Sequence, residues 1–524
     1  MTTAAARTTL FEALLDARRR FGGKRIALED AERTRLTYDR LVVGSLVLGA
    51  RLVVGTRPME TVGVMLPNVA GLPVTVFALN AFGRVAALLN FTAGARNITS
   101  AVKTGLVATV ITSRRFVDAA KLEPVIHALE RTEIGPGRMV RIVYLEDIRA
   151  RVGLSDKAIG AARVFYAGAF HRRTGMTADK PALVLFTSGT EGAPKGVVLT
   201  NANLLANCRQ IFSHAAGELS EADIVMNPLP MFHSFGLTAG TLMPLFHGMK
   251  VVLFPSPLQY RQVTKLVHDT RASVLFATDT FLTGYARAAE PGHLATLRFV
   301  VAGAERVKDG TRALWRAIGT DILEGYGATE CAPVIACNLP KHNRHGTVGR
   351  MLPDMDARLD PVEGIAEGGR LNIRGANVMA GYITADLPGV VVPPPDGWHD
   401  TGDIVSIDTD GYITIKGRAK RFAKIGGEMV SLAAVETLAA NLWPDAQHVI
   451  VNLPDPRKGE QLVLVTDKFD ADKDDLLAHA RAEGFPELWV PRTIMAVPSI
   501  PVLGSGKVDL AATFAMVRQS RALL

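Results

Sequence analysis

The sequence predicts an α/β protein. A large N-terminal domain of doubly wound, mostly parallel sheets carries a small β-subdomain, and a small mobile α+β domain follows at the C-terminus. Three observations lead there. Apolar β-branched runs alternate with helix-period segments from residue 9 to residue 330, as parallel strands joined by crossover helices do. Beyond Gly346 the texture shifts to short strands and turns, such as TVGRMLP, GRLNIRG and GYITIKGR. At residues 417–427 the chain reads GRAKRFAKIGG, basic and glycine-punctuated as a hinge would be, with roughly a hundred residues still to come. The expected division is 1–419 and 420–524. A chain of 524 residues also exceeds the size at which a single core stops growing.

The elements follow in order. TLFEALLDARRRF is an amphipathic helix, IALED a short strand, and LTYDRLVVGSLVLGARLV a second helix. TVGVMLPN reads as a buried parallel strand ending in a Pro-Asn turn. LPVTVFALNAFG supplies a helix, VAALLN a strand, ITSAVKTG a helix and VATVITS a strand. Residues 130–181 are polar and irregular by comparison, and are expected to form a surface excursion. After the strand ALVLF and its return VVLT, NANLLANCRQIFSH is a helix with Asn201 as its cap. IVMNPLPMFHSFGL, KVVLFPS, SVLFATDT, RFVVAGAE and DILEGYGATE then repeat one pattern. Their apolar runs end in polar or Gly-rich tips, where ligands sit in open α/β sheets.

Composition narrows the function classes. The apolar fraction is 48% and charged residues are 21%, ordinary for a globular chain. No stretch supplies 18 uninterrupted apolar residues, so a spanning helix is not expected. MTTAAARTTLFEALL lacks the layout of a signal peptide. Cys208, Cys331 and Cys337 form no CxxC pair, which points to core packing in a reducing, cytoplasmic compartment. Of 59 basic and 51 acidic residues, 12 and 13 lie from Lys420 onward, so 47 and 38 lie upstream. The clusters Arg18-Arg19-Arg20 and His171-Arg172-Arg173 suit a nucleotide, the inner face of an anionic membrane or an acidic carrier protein, although solvated faces look the same. No nucleic-acid partner is expected, and the oligomeric state is not encoded in any motif.

The loop TSGTEGAPKG, residues 187–196, lies between two strand-like runs. Glycine admits close backbone approach, so N–H groups and hydroxyls converge on oxyanions, and Lys195 adds a positive charge. The Walker A likeness is superficial, because that motif runs from a strand into a helix. A loop between strands reads instead as a mobile lid over a triphosphate, with a plain Gly-rich hairpin as the bland alternative.

TSGTEGAPKG, MFHSFG, YGATE, GWHDTGD, GRAKRFAKIGGE and LGSGK occur in that order across residues 187–507. Together they resemble the acyl-adenylate-forming (AMP-binding) enzymes: acyl-CoA synthetases, peptide-synthetase adenylation domains and luciferases. LLNFTAG, YLEDIR, YGATECAPV, MLPDMDARL, GRAKRFAKIGGEMVSL and IPVLGSGK further resemble one subfamily. That is the acyl-acyl-carrier-protein synthetase half of the bifunctional 2-acylglycerophosphoethanolamine acyltransferases. The long-chain fatty acid–CoA ligases are also similar. An upstream acyltransferase portion with its HxxxxD pair is absent from this sequence, so direct lysophospholipid acylation by this chain alone is not expected.

The resemblance implies ATP and Mg²⁺ as cofactors and a fatty acid as substrate. The acyl group passes to a phosphopantetheine thiol of acyl carrier protein, which is favoured, or of CoA. Thr187, Ser188, Gly189, Thr190, Gly192 and Lys195 look like the β- and γ-phosphate clamp. Glu191 stands where a hydroxyl residue is common, and its role is open. Glu330 resembles the Mg²⁺ ligand, and Tyr326 and Thr329 would flank the adenine and α-phosphate. Asp403 looks like the acceptor for the ribose hydroxyls, with Arg418 as a second ribose contact. His233 resembles an aromatic gate to the acyl pocket, and Gly303, Ala304 and Glu305 would line its floor, the two small residues leaving room for a methylene chain. Lys507 is the implied cation bridging carboxylate and phosphate, where the transition state gathers negative charge. Lys420 is the implied pivot that withdraws Lys507 and brings in the Gly426-Gly427 loop. Arg421 and Lys424, just past that pivot, are expected to rim the thiol channel. A non-catalytic fatty-acid or nucleotide sensor is the other class, and it would be expected to lose Lys507, Glu330 or Asp403.

Overall fold

A computed structural model describes residues 8–187, 194–365, 367–425, 428–455, 459–502 and 508–522. It divides into two compact units, Met1–Met355 with Arg374–His399, and Asp356–Ile373 with Asp400–Leu524. This is a division by packing, whereas the expected pivot at Lys420 concerns motion.

In the first unit the alternation read from the sequence builds two mixed sheets. Among the described residues one has nine strands, ordered Arg350–Met351, Val334–Cys337, Ile322–Gly327, Phe299–Ala302, Val274–Ala277, Ile224–Asn227, Lys250–Leu253, Ile26–Asp30 and Arg35–Thr37. Its middle pairs are parallel, and antiparallel strands close both edges. The other has seven, ordered Gly381–Ile383, Lys195–Thr200, Pro181–Thr187, Val85–Leu88, Thr61–Val64, Thr109–Thr112 and Arg141–Tyr144. The first helix, Leu10–Phe21, shows why the segments hold. Thr9 and Glu12 form a reciprocal capping box, and Leu10, Phe11, Leu14 and Ala17 recur at helical spacing on one buried face. Each large apolar side chain so buried contributes about 1.5–3 kcal/mol.

Three expectations change. Residues 130–181 are not an irregular excursion, because Arg141–Tyr144 is the edge strand of the seven-stranded sheet and helices Leu145–Ala150, Leu154–Arg163 and Ala167–Arg172 follow it. Apolar residues on the outward side, such as Leu154 and Phe165, and small ones on the inward side, such as Gly160, hid the helical period there. The helix Asn201–His214 is capped by Thr200, whose hydroxyl accepts from the Asn203 N–H. Asn201 is buried and accepts from the Leu10 N–H at 2.9 Å. His171 belongs to no basic surface cluster, for it is fully buried between Thr9 and the Ala81 carbonyl.

In the second unit, strands Met355–Asp360, Gly369–Gly375, His399–Ile407 and Ile413–Arg418 form a four-stranded sheet. A further sheet, Glu428–Ser431, Phe422–Ile425, Gly459–Thr466 and His448–Asp455, adds Thr493–Ala496 in parallel beside Gly459–Thr466. Helices Leu432–Leu442 and Lys473–Ala482 pack their apolar residues with its strands around Leu432, Val435, Leu462, Leu464 and Leu476. The arrangement is the expected α/β fold with a small β-sheet and an α+β portion.

Candidate active site

The strand Pro181–Thr187 pairs antiparallel with Lys195–Thr200, and Thr187 lies opposite Lys195. Both strands are apolar and buried up to this end, so the hairpin delivers Thr187 and an exposed Lys195 to its tip. Ser188, Gly189, Thr190, Glu191 and Gly192 lie outside the described residues, as do Gly426, Gly427 and Lys507.

Beside Lys195–Thr200 runs Gly381–Ile383, with Tyr382 opposite Val197. The Lys195 ammonium sits 5.5 Å from the centroid of the Tyr382 ring. The Tyr382 hydroxyl donates to the Glu330 carboxylate at 2.7 Å. A cation over the ring face is attracted by the ring quadrupole and draws electron density from the ring, which makes the hydroxyl a better donor. Tyr382 therefore couples the expected phosphate-binding lysine to the expected magnesium ligand.

Glu330 stands in the short turn Thr329–Cys331 after strand Ile322–Gly327. The chain doubles back there, and a Cβ on Gly327 would lie 2.2 Å from the Pro333 oxygen, so this position requires glycine. The Glu330 carbonyl accepts from the Met379 N–H, and the Cys331 carbonyl from Asn377. Backbone and side chain of Glu330 are thus both held by the segment that carries Tyr382. A carboxylate offers about four lone-pair positions, of which Tyr382 takes one. No group of three or more His, Cys, Asp or Glu gathers among the described residues. A cation at Glu330 would complete its shell with phosphate oxygens and water, as Mg²⁺ does.

The other expected residues of this unit join the same neighbourhood in two steps. Thr329 Oγ1 lies 3.3 Å from Ser234 Oγ, which brings YGATE against MFHSFG. Phe235, next along, covers Gly303, where a Cβ would come within 3.0 Å of the ring. Phe235 also meets Phe276 edge-on at 5.5 Å. The space beside Gly303 is therefore filled by an aromatic ring. Ala304 is exposed at φ 68°, and Glu305 turns to the helix Asp279–Ala288, accepting from the N–H and hydroxyl of Thr280. His233 is exposed, its ring 4.7 Å from that of Phe232, and Tyr326 is buried.

In the second unit Asp403 faces Arg418 across strands His399–Ile407 and Ile413–Arg418. Arg418 Nε donates to Asp403 Oδ1 at 2.8 Å, with the aspartate side chain 5% exposed and the arginine 63%. The two expected ribose contacts thus form one ion pair. Lys420 is exposed in the turn Ala419–Arg421. Arg421 departs from expectation. It pairs with Glu436 and donates to the Ile450 carbonyl at 3.0 Å, so it supports the fold of this unit rather than rimming a channel. Burial pushes the Glu436 carboxyl up, and Arg421 opposes that shift. Lys424 stays exposed, 3.3 Å from Glu363.

The cysteines behave as packing residues. Cys208 and Cys331 are buried, and burial raises all three thiols, Cys337 to about 12. Tyr382, Ser234 and Phe235 escaped the sequence reading. An aromatic residue directly after glycine in AGYIT, and the SF that follows His233, were the only signals.

A hairpin that ends in Thr187 and Lys195, with Tyr382 set between that lysine and Glu330, suits a ligand that carries phosphate. The AMP-binding enzyme family matches residues 15–383, and the chain belongs to that family. Two relatives are each 28% identical to it. One is a long-chain-fatty-acid–CoA ligase of Yersinia pestis, covering 90% of this chain and 88% of the relative. The other is a feruloyl-CoA synthase of Amycolatopsis sp, covering 91% and 92%. The fold is also that of ATP-bound MatB from Rhodopseudomonas palustris, with a TM-score of 0.79, 22% identity, and 97% and 99% of the two chains covered. Enzymes that form adenylates use ATP and Mg²⁺. No helix of the described residues is long and apolar enough to cross a membrane.

Proposed function

We propose that this chain is an acid–thiol ligase that activates a fatty acid as its acyl-AMP and passes the acyl group to a pantetheine thiol. A carboxylate oxygen attacks the α-phosphorus of ATP, the bond to the bridging oxygen breaks, and pyrophosphate leaves. The thiolate sulfur then attacks the acyl carbon, and AMP departs with the oxygen. The observation that carries this reading is the line from Lys195 through Tyr382 to Glu330 at the tip of the hairpin. Mg²⁺, when bound, neutralises phosphate charge, and Glu330 is the residue that would hold it. Lys195 and Thr187 bind the β- and γ-phosphates with Ser188, Gly189, Thr190 and Gly192. Tyr326 and Thr329 contact the adenylate, and Asp403 with Arg418 holds the ribose. Lys507 stabilises the charge gathered on carboxylate and α-phosphate in the first step, and a pivot at Lys420 retires it before the second. His233 guards the acyl pocket, with Ala304 toward its floor, whereas Phe235 fills the space beside Gly303 and Glu305 turns to Thr280.

The names of the relatives support CoA as the acceptor. Acyl carrier protein is the second reading, supported by the subfamily motifs and by the basic excess upstream of Lys420. The feruloyl relative, as similar as the fatty-acid one, makes the acid a question for assay rather than for identity. The test is pyrophosphate release over a series of fatty and aromatic acids, with CoA and carrier protein offered in parallel. A fatty-acid maximum with thioester formed on CoA is expected. Aromatic acids outpacing every fatty acid would overturn the substrate assignment. ATP binding without pyrophosphate release under any acid would return the chain to the sensor class.

A further inference from the structure

The exposed face of the helical segment 154–172 reverses the ordinary pattern. Helix Leu154–Arg163 continues through the turn Val164–Tyr166 into helix Ala167–Arg172. Its inward side is small: Gly160 is buried, and a Cβ there would lie 2.3 Å from Val47 Cγ2. Its outward side is apolar. Leu154 is 84% exposed, Ile159 50%, Phe165 93% and Tyr166 51%. Ala158, Ala161, Ala162 and Ala169 lie exposed among them. Single apolar residues on a surface are ordinary, whereas a contiguous stripe marks an interaction site.

Along the stripe's own segment basic residues predominate. Residues 149–173 contain six Lys and Arg and a single acid, Asp156. That acid is already bound to Arg51 at 2.6 Å and to the Gly153 N–H. Arg163 stacks over Phe170 and Arg172 lies 3.7 Å from Glu12, which leaves Arg149, Arg151, Lys157 and Arg173 outward. A cleft of about 1110 Å³ opens beside Phe165; its walls carry Arg18, Arg19, Arg20 and Arg209, of which Arg18 pairs with Asp39, and Arg19 and Arg20 with Asp16.

We propose that this face docks the protein onto an anionic lipid bilayer. A helix laid in the interface buries protruding apolar side chains between headgroups while its basic residues meet lipid phosphates. The occupant follows from shape and charge together. A second copy of this chain would press the same basic residues against one another in a two-fold contact. An acidic protein would answer the charges, but it would need pockets for two nearly fully exposed side chains, Leu154 and Phe165. Acyl chains accept such protrusions without prior fit. The proposal does not depend on the ligase reading, although a bilayer is where a fatty acid partitions.

The test is cosedimentation of the full chain with phosphatidylcholine vesicles, with and without phosphatidylglycerol. Binding is expected to the anionic vesicles and to weaken as salt rises. Leu154→Ser with Phe165→Ser should lower partitioning roughly tenfold or more. Lys157→Glu with Arg173→Glu should abolish the preference for phosphatidylglycerol. These side chains are exposed, so thermal unfolding should stay at the parent midpoint. Should the serine pair misfold, Phe165→Trp keeps the apolar surface and reports directly through a blue-shifted emission on anionic vesicles. Equal binding to both vesicles, unchanged binding of the serine pair, or no spectral shift overturns the proposal. So does a dimer, or a complex with acidic carrier protein formed without lipid, that the serine pair abolishes.

Discussion

The Tyr382 hydroxyl donates to Glu330 at 2.7 Å, although the two residues stand 52 positions apart in the chain. The same ring lies under the Lys195 ammonium, so one aromatic residue touches both the cation and the carboxylate. Tyr382→Phe keeps the ring and removes the hydroxyl. A hydrogen bond to a charged group is worth about 1.5–3 kcal/mol, or roughly ten- to a hundredfold. The half-saturating Mg²⁺ concentration for pyrophosphate release should rise within that range, while the rate at saturating Mg²⁺ changes less. An unaltered Mg²⁺ titration would remove Tyr382 from this role.

Lys507→Ala should abolish acyl-AMP formation yet leave thioester formation from supplied acyl-AMP largely intact. Single-turnover assays of the two half-reactions distinguish the cases. Equal loss in both would sink the account in which the lysine acts only in the first.

Asp403→Asn keeps the size of the side chain and removes the charge that Arg418 meets. The apparent KM for ATP should rise, and kcat should change little if the ribose contacts are equally strong in ground and transition states. Unchanged ATP affinity in a folded variant would refute the ribose assignment.

Arg421 and Lys424 now part company. Arg421→Met leaves the half-buried Glu436, whose charged form its surroundings disfavour, without its partner. Thermal unfolding of the second unit should shift down sharply. Lys424→Glu changes an exposed charge, so unfolding should hold. If carrier protein is the acceptor, its transfer should slow with a dependence on salt, while transfer to CoA persists. Equal slowing with both acceptors would speak for CoA.

His171 supplies a pH prediction. Its Nδ1 faces the Ala81 carbonyl at 2.9 Å and so carries the proton, leaving Nε2 to accept from the Thr9 hydroxyl at 2.8 Å. Burial holds its pKa below the usual histidine value, with Glu12 raising and Arg172 lowering it. Burial likewise depresses His214 and His247. The unfolded chain then binds more protons, so stability is lost as pH falls through about 6.5 toward the lowered folded values. Denaturant midpoints across that window should decline with acid. His171→Gln should shallow the slope, and an identical slope would exclude His171 as a source.

The sequence by itself determined the kinds of element, their order and the family. Hydrophobic period, glycine-rich tips and cap residues act within a few positions of themselves, so strands such as Val274–Ala277 and helices such as Leu10–Phe21 are legible locally. It misread residues 130–181, where exposed apolar residues such as Leu154 and Phe165 and a buried glycine, Gly160, blur the helical period. Tertiary structure alone decided which polar groups meet. Tyr382 reaches Glu330 because a strand added to the edge of the Lys195–Thr200 hairpin brings it there. His171 is buried because Thr9 and Ala81 arrive from 162 and 90 positions away. Arg421 is structural because Glu436 lies on the helix packed over its sheet. Such pairs carry no periodicity, since their geometry exists only once separate elements have been packed together.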